Sequence, residues 1–185
     1  MSSPPSLPQI RATAYYERAL EFLNAYFELS LAHSYQKLVD KDLQLASAKL
    51  TLVGRALELT LRGWLALREE GQAAVGPADA MDRADASADG RDLVALANAV
   101  VPLYPALWAY LDDGSIARLN ASYLAESEAD GALPDDLATM AALTPFDTFA
   151  NVVGKLRHDL GVALGLADAA PLSASATARQ RRRPR

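Results

Sequence analysis

Apolar positions recur by threes and fours along most of this chain, and most densely from Asp40 to Gly71. One row there carries Leu43, Leu50, Leu57 and Trp64. A second, on nearly the opposite side, carries Leu45, Leu52, Leu59 and Ala66. A helix that is apolar on two faces belongs at the centre of a bundle. Only a narrow stripe stays polar, with Thr51, Arg55, Glu58, Arg62 and Glu69, and its spacing sets Arg55 and Arg62 one turn to either side of Glu58. Gly54 and Gly63 each cost about 1 kcal/mol relative to alanine inside a helix. Their presence points to a neighbouring backbone approaching closely at both places.

The other elements follow from the same period. A first helix is predicted from Ile10, with Tyr16, Leu20, Leu23, Phe27, Leu31, Ser34 and Leu38 on its buried face. Asp40 suits a helix cap, so a tight turn there makes a helical hairpin of the first two helices. After an Ala-, Asp- and Gly-rich loop, a third helix starts near Arg91 with Leu93, Leu96, Ala97 and Val100 on one side. Pro102 and Pro105 break it. A short continuation through Leu107, Trp108 and Leu111 is closed by Asp112, Asp113 and Gly114, and Ser115 caps a further short helix with Ile116, Leu119, Tyr123 and Leu124. A second acidic loop, from Glu126 to Asp136, follows. The last helix is announced by Thr144 as cap and Pro145 in the first helical position. Phe146, Phe149, Val153, Leu156, Leu160 and Leu164 form its buried face, and Asp147, Asn151, Lys155 and His158 its wet one. No stretch alternates with period two. The fold class predicted is all-α: a helical bundle of four to five main helices with short accessory helices. It forms one domain over residues 10–168, between a flexible leader (1–9) and a disordered basic tail (169–185).

The totals sharpen this picture in three ways. A hydrophobic share of 51% and a charged share of 22% are those of a globular chain; with no apolar run long enough to span a bilayer and no secretory pattern at the start, a soluble, cytoplasmic protein without membrane association is expected. The chain has no cysteine, which removes disulfides and thiolate chemistry. Its net charge of −5 includes five arginines between Arg179 and Arg185, leaving about −10 on the rest. The body is acidic and the tail basic.

The segments Gly54–Gly71 and Gly90–Val100 together resemble bacterial HEPN-like helical domains. In that group a helix of the form Ala-Leu-Glu-Leu, followed by a basic and a small residue, ends at a glycine, and a Gly-His-Asp-Leu motif opens the next helix. Ala56, Leu57, Glu58, Leu59, Arg62, Gly63 and Leu65 match the first motif. Gly90, Asp92 and Leu93 match the second, with Arg91 where histidine is expected. The resemblance spans roughly Tyr16 to Tyr123. It implies a helical bundle that dimerises and a setting in toxin–antitoxin, phage-defence or RNA-processing systems.

Ribonuclease members of that group use an arginine followed, after four to six residues, by a histidine on the same helix. The chain has only His33 and His158, and no arginine stands in either window. Arg157 and His158 are the nearest approach, yet sequence neighbours on a helix diverge by about 100°. Metal chemistry lacks a start as well, because neither histidine has a ligand partner at helical spacing. No phosphate loop occurs, and no cofactor is expected. The aromatic row Tyr15, Tyr16, Tyr26, Phe27 and Tyr35 reads as core rather than as a base-stacking platform, having few interleaved cations. Arg55, Glu58 and Arg62 read first as a structural ion pair at the edge of the core. Together with Arg91 they are also the candidate partner or anion stripe.

The expectation is therefore a non-catalytic module that binds protein or nucleic acid, with the arginine tail as a candidate RNA contact. The alternative is a metal-independent endoribonuclease with a degenerate or relocated site. Tyr15, Phe22, Tyr26 and Leu29 form a second apolar side of the first helix. A homodimer covering that side is expected.

Overall fold

Helix α1 (Leu7–Gln36) begins about one turn earlier than Ile10, so the last residues of the expected leader are helical. The cause is a capping box. Ser6 Oγ accepts from the Gln9 amide at 3.3 Å, and Gln9 Oε1 accepts from the Ser6 amide at 3.0 Å. This pattern stands in the sequence as Ser6-Leu-Pro-Gln9, with Pro8 in the first turn, where its missing N–H costs nothing. The computed structural model describes residues 4–36, 42–72, 91–111, 113–128 and 146–166. The turn at Asp40, both acidic loops beyond Glu128 and Gln72, the Thr144–Pro145 start and the basic tail lie outside the described residues.

Helix α2 (Asp42–Gln72) runs back along α1, with Gly63 set against Ala12 and Tyr15. Next come α3 (Leu93–Val100), a single turn α4 (Leu107–Tyr110), α5 (Asp113–Glu128) and α6 (Phe146–Ala163). All regular structure among the described residues is helical, as the period predicts, and no described helix is long and apolar enough to cross a membrane. Helix α2 packs against α1, α3, α5 and α6. Leu50, Leu57 and Leu61 are fully buried at its centre, and around them close Leu23, Leu93, Val100, Ile116, Leu119, Val153 and Leu156.

Three details depart from expectation. The buried stripe of α1 is Ala12, Tyr16, Ala19, Leu23 and Tyr26, rotated from the expected row, so that Leu31 is exposed. The two alanines let α1 lie close on α2, and large residues one position on are displaced to the flank. Tyr26 is fully buried within the chain and bonded to Asp147; it is not part of an outer patch. Helix α5 starts at Asp113 and continues to Glu128, so Asp113 and Gly114 lie in its first turn rather than in a closing loop. Ser115 is already inside it, and Glu126 to Glu128 belong to the helix and not to the acidic loop.

The proline break is as expected. Leu103 and Tyr104 amides both donate to Val100 O, at 2.8 and 2.9 Å, closing α3 before the chain turns into α4. At the end of α6 the Leu166 amide donates to Gly161 O and the Gly165 amide to Val162 O, with Gly165 at φ 73°. That is a Schellman ending, in which glycine occupies the left-handed position at no steric cost.

Gly54 and Gly63 mark close approach, Gly54 by the Tyr123 side chain and Gly63 by the Leu160 side chain together with the backbone oxygen of Ala12. A Cβ on Gly54 would stand 2.5 Å from Cδ2 of Tyr123, and one on Gly63 would stand 2.6 Å from Cδ2 of Leu160. Replacing Leu57 by alanine is expected to destabilise the chain by about 2–5 kcal/mol in urea unfolding; a loss below about 1 kcal/mol would put that position at the surface. Gly54→Ala, which drives a methyl into the Tyr123 ring, is expected to cost about 1–3 kcal/mol without loss of helical circular dichroism.

Candidate functional site

Glu58 sits at the middle of α2 with 1% of its surface exposed. Among the described side chains of the expected polar stripe Glu58 alone is covered, with Tyr123 of α5 against it, while Thr51, Arg55 and Arg62 stay partly exposed. Arg55 Nη1 donates to Glu58 Oε2 at 2.6 Å and Arg62 Nε to Oε1 at 3.0 Å. These are the bonds that the three- and four-residue spacing predicts. From α5 the Tyr123 hydroxyl donates to Oε2 at 2.8 Å, a contact between residues 65 positions apart that no helical period can reveal. Its only trace in the sequence is Gly54, whose bare Cα makes room for the Tyr123 ring.

The electrostatics follow from this burial. Burial, then the charge and hydrogen bond of Glu58, push the Tyr123 hydroxyl well above its ordinary pKa, against a smaller opposing effect of Arg55. Burial tends to lower Arg55, but the hydrogen bond and charge of Glu58 outweigh it and raise it. The Arg55 side chain remains 37% exposed and that of Arg62 22%. The cluster thus has a buried carboxylate accepting three donors beneath cations that reach the surface. A carboxylate held in this way is an acceptor and an anchor for the two arginines.

Arg91, the fourth residue of the stripe, is exposed just before α3. Its neighbour Asp92 caps that helix by accepting from the Val94 and Ala95 amides at 2.9 and 3.0 Å. Asn120 of α5 ties this start down: its Oδ1 accepts from the Leu93 amide at 2.8 Å and its Nδ2 donates to Asp92 at 3.1 Å. One turn of α5 therefore holds both motif regions, Asn120 at Asp92 and Tyr123 at Glu58. The aspartate that matches the second motif is engaged as a helix cap.

Arg157 and His158 are not brought together as a pair. Arg157 is 4% exposed and lies over the Tyr16 ring, with its guanidinium carbon 4.3 Å from the ring centroid. His158 is half-buried on the next face of α6. The His33 side chain lies outside the described part of the chain. Among the described residues no three His, Asp or Glu side chains gather closely enough to hold a metal ion.

The aromatic residues divide. Tyr16 and Tyr26 are buried, and Tyr15 and Phe27 half-buried. A second group, unforeseen in the sequence, stacks Trp64 on Tyr104 at 4.8 Å between ring centroids, with Tyr110 parallel to Tyr104 at 6.5 Å and Lys155 over Tyr110. The Tyr104 hydroxyl donates to Asp159 of α6. Burial and that hydrogen bond raise its pKa, as burial and Asp147 raise that of Tyr26.

Set against models of known protein families, curated proteins and solved structures, the chain finds no match in any of the three.

Tyr123→Phe, which removes one hydrogen bond to a buried charge while keeping the ring over Gly54, is expected to cost about 1.5–3 kcal/mol by urea unfolding. An unchanged midpoint would mean that the two arginines alone satisfy Glu58. The raised tyrosines also set an alkaline limit. Their folded pKa values exceed the unfolded value near 10, so their contribution is complete below about pH 10 and is lost as pH rises, because the unfolded chain then binds fewer protons. In a titration followed at 295 nm, Tyr26, Tyr104 and Tyr123 should ionise only together with unfolding. Seven tyrosines titrating as one normal group would overturn this.

Proposed function

We propose that this chain is a non-catalytic, HEPN-like helical module that acts by binding, and that its partner is an anionic protein or nucleic-acid surface recognised on the Arg55 side of α2. The observation that carries this reading is the Glu58 cluster. Its carboxylate is occupied by three donors, and Arg55 meets it through Nη1 while keeping more than a third of its side chain in solvent. A guanidinium braced from below by a buried carboxylate and still facing water is pre-organised to take phosphate or carboxylate oxygens. Arg91, exposed at the α3 start that α5 fastens, is proposed as a second cation for the same partner. The Arg-rich tail adds long-range attraction for a polyanion.

Self-association belongs to the same proposal, on a surface other than the one expected. Tyr26 meets Asp147 and Tyr16 meets Arg157 and Gly161, so α1 and α6 are antiparallel, and the start of α1 adjoins the end of α6. At that end Leu7, Ile10, Val162 and Leu166 are exposed by 62, 52, 57 and 39%. A two-fold contact that buries such an end presents the same patch from both copies.

The binding reading is tested by fluorescence anisotropy on labelled single-stranded RNA and on an acidic peptide. Arg55→Ala is expected to weaken binding several-fold and to lower the salt slope for RNA by about 1. Binding of both probes that is indifferent to Arg55 and Arg91 would overturn it. The RNA is expected to be recovered uncut with or without divalent metal. Specific cleavage that disappears in a folded His158→Ala chain would instead install the endoribonuclease reading. Light scattering at micromolar concentration is expected to give a dimer mass that Ile10→Asp reduces to a monomer; a monomer throughout would remove self-association from the proposal.

A further inference from the structure

Arg157 is the one described arginine that is buried without a carboxylate. Its helix places it on the core side of α6 between Leu156 and Leu160, where 4% of the residue stays exposed. Nε and Nη1, which carry three of the five N–H donors of a guanidinium, are buried and have no acceptor among the described residues. Carboxylates on α6 and at the centre of α2 make their hydrogen bonds to other groups. Asp159 holds the Tyr104 hydroxyl, Asp147 the Tyr26 hydroxyl and Glu58 its three donors.

What the fold does provide is a floor. The Tyr16 ring lies 4.3 Å beneath the guanidinium carbon and continues under Gly161, where a Cβ would stand 2.8 Å from Cε2 and 3.1 Å from the hydroxyl oxygen. A glycine one turn after Arg157 is what lets the ring lie along α6. Stacking on a ring face stabilises the cation above and below its plane, but it leaves the in-plane N–H groups without acceptors. Arginine does not escape this by losing its proton. A buried charge without its counter-ion costs several kcal/mol, whereas an apolar side chain of similar size would fill the space at no such cost.

We infer that Arg157 is the receptor for an oxyanion, a carboxylate or phosphate group, taken up at the seam between α1 and α6 with the Tyr16 ring as its backing. The small exposed remainder sets the guanidinium just below the surface of that seam, so that the anion reaches it through a local parting of two helices. This site is independent of the Arg55 surface, which lies on α2. It does not rest on the binding function proposed for that surface.

The test is thermal unfolding of the full chain in sodium chloride, sodium acetate and sodium phosphate at equal ionic strength. The expected result is a Tm higher by about 2–4 °C or more in acetate or phosphate than in chloride. A response to acetate alone identifies a carboxylate ligand, and a response to phosphate a phosphorylated one. Arg157→Met is expected to unfold at or above the wild-type temperature in chloride and to lose the anion response, the combination that a purely structural arginine does not give. Arg157→Lys, which retains charge but not the planar fork, is expected to weaken the response and stands in if the methionine variant does not fold. A wild-type Tm equal in all three salts overturns the inference, and so does an anion response that the Arg157 variants keep in full.

Discussion

A charged carboxylate in the middle of the most enclosed helix is the constraint on which the rest of this bundle depends. Helix α2 is surrounded by α1, α3, α5 and α6, and Glu58 lies among Leu57, Leu59, Thr60 and Leu61, each at most 5% exposed. Removing a carboxylate from water costs several kcal/mol unless its lone pairs are met. Two of the donors come from α2 itself, one turn away on each side, and form with the helix. The third must be delivered by another element. Tyr123 does so, which requires that α5 approach α2 closely enough to lay a phenol ring on it, and this in turn requires that position 54 have no side chain. Once Tyr123 is seated, Asn120 stands one turn earlier on α5 and fixes the start of α3 through Leu93 and Asp92. A single buried charge thereby adds polar anchors to two helices whose apolar rows, Leu93, Leu96, Ala97 and Val100 on α3 and Ile116, Leu119 and Tyr123 on α5, already face the core.

Helix α6 is fastened by a different device. Tyr26 of α1 and Tyr104, just before α4, each donate a hydroxyl to an aspartate of α6, Asp147 near its start and Asp159 near its end. The rings fill the core or stack on Trp64 while their polar tips reach the wet flank of α6. Tyrosine suits such seams because it buries area and still finds a hydrogen-bond partner. The same logic explains why α1 turns its Tyr26 inward and leaves Leu31 outside: the inward position offers the hydroxyl a carboxylate, and the outward one does not.

How much of this was legible follows from which signals are local. The central role of α2 is written in its two apolar rows, and the Arg55–Glu58–Arg62 geometry in spacings of three and four, because both are properties of one helix. The start of α1 was equally local, in Ser6 and Gln9, yet Pro8 draws the eye to a leader instead. The face of α1 was misplaced by about one position because Ala12 and Ala19 count little in a hydrophobic pattern, although small residues are what let two helices come close. Tyr123 over Gly54 and Tyr16 under Arg157 are contacts across the fold. For those the sequence holds only half a clue, a glycine where a helix would favour alanine, and nothing that names the side chain filling the gap.

Glu58 and Arg157 are opposite solutions to burying charge, and their contrast separates architecture from recognition. Around Glu58 the carboxylate is matched: two guanidinium groups and a hydroxyl donate to it over 2.6 to 3.0 Å, and losing any of these donors leaves a buried charge less well met. Such a cluster specifies how helices assemble. Around Arg157 the surroundings supply the face of the Tyr16 ring, seated against Gly161, but among the described residues no oxygen for Nε or Nη1. Structural arginines buried in bundles gain from pairing, and this one gives up that gain within the described fold. The two arrangements differ in one respect: the carboxylate at the centre of α2 has its donors supplied from within the bundle, whereas Nε and Nη1 of the guanidinium at the α1–α6 seam have no acceptor among the described residues.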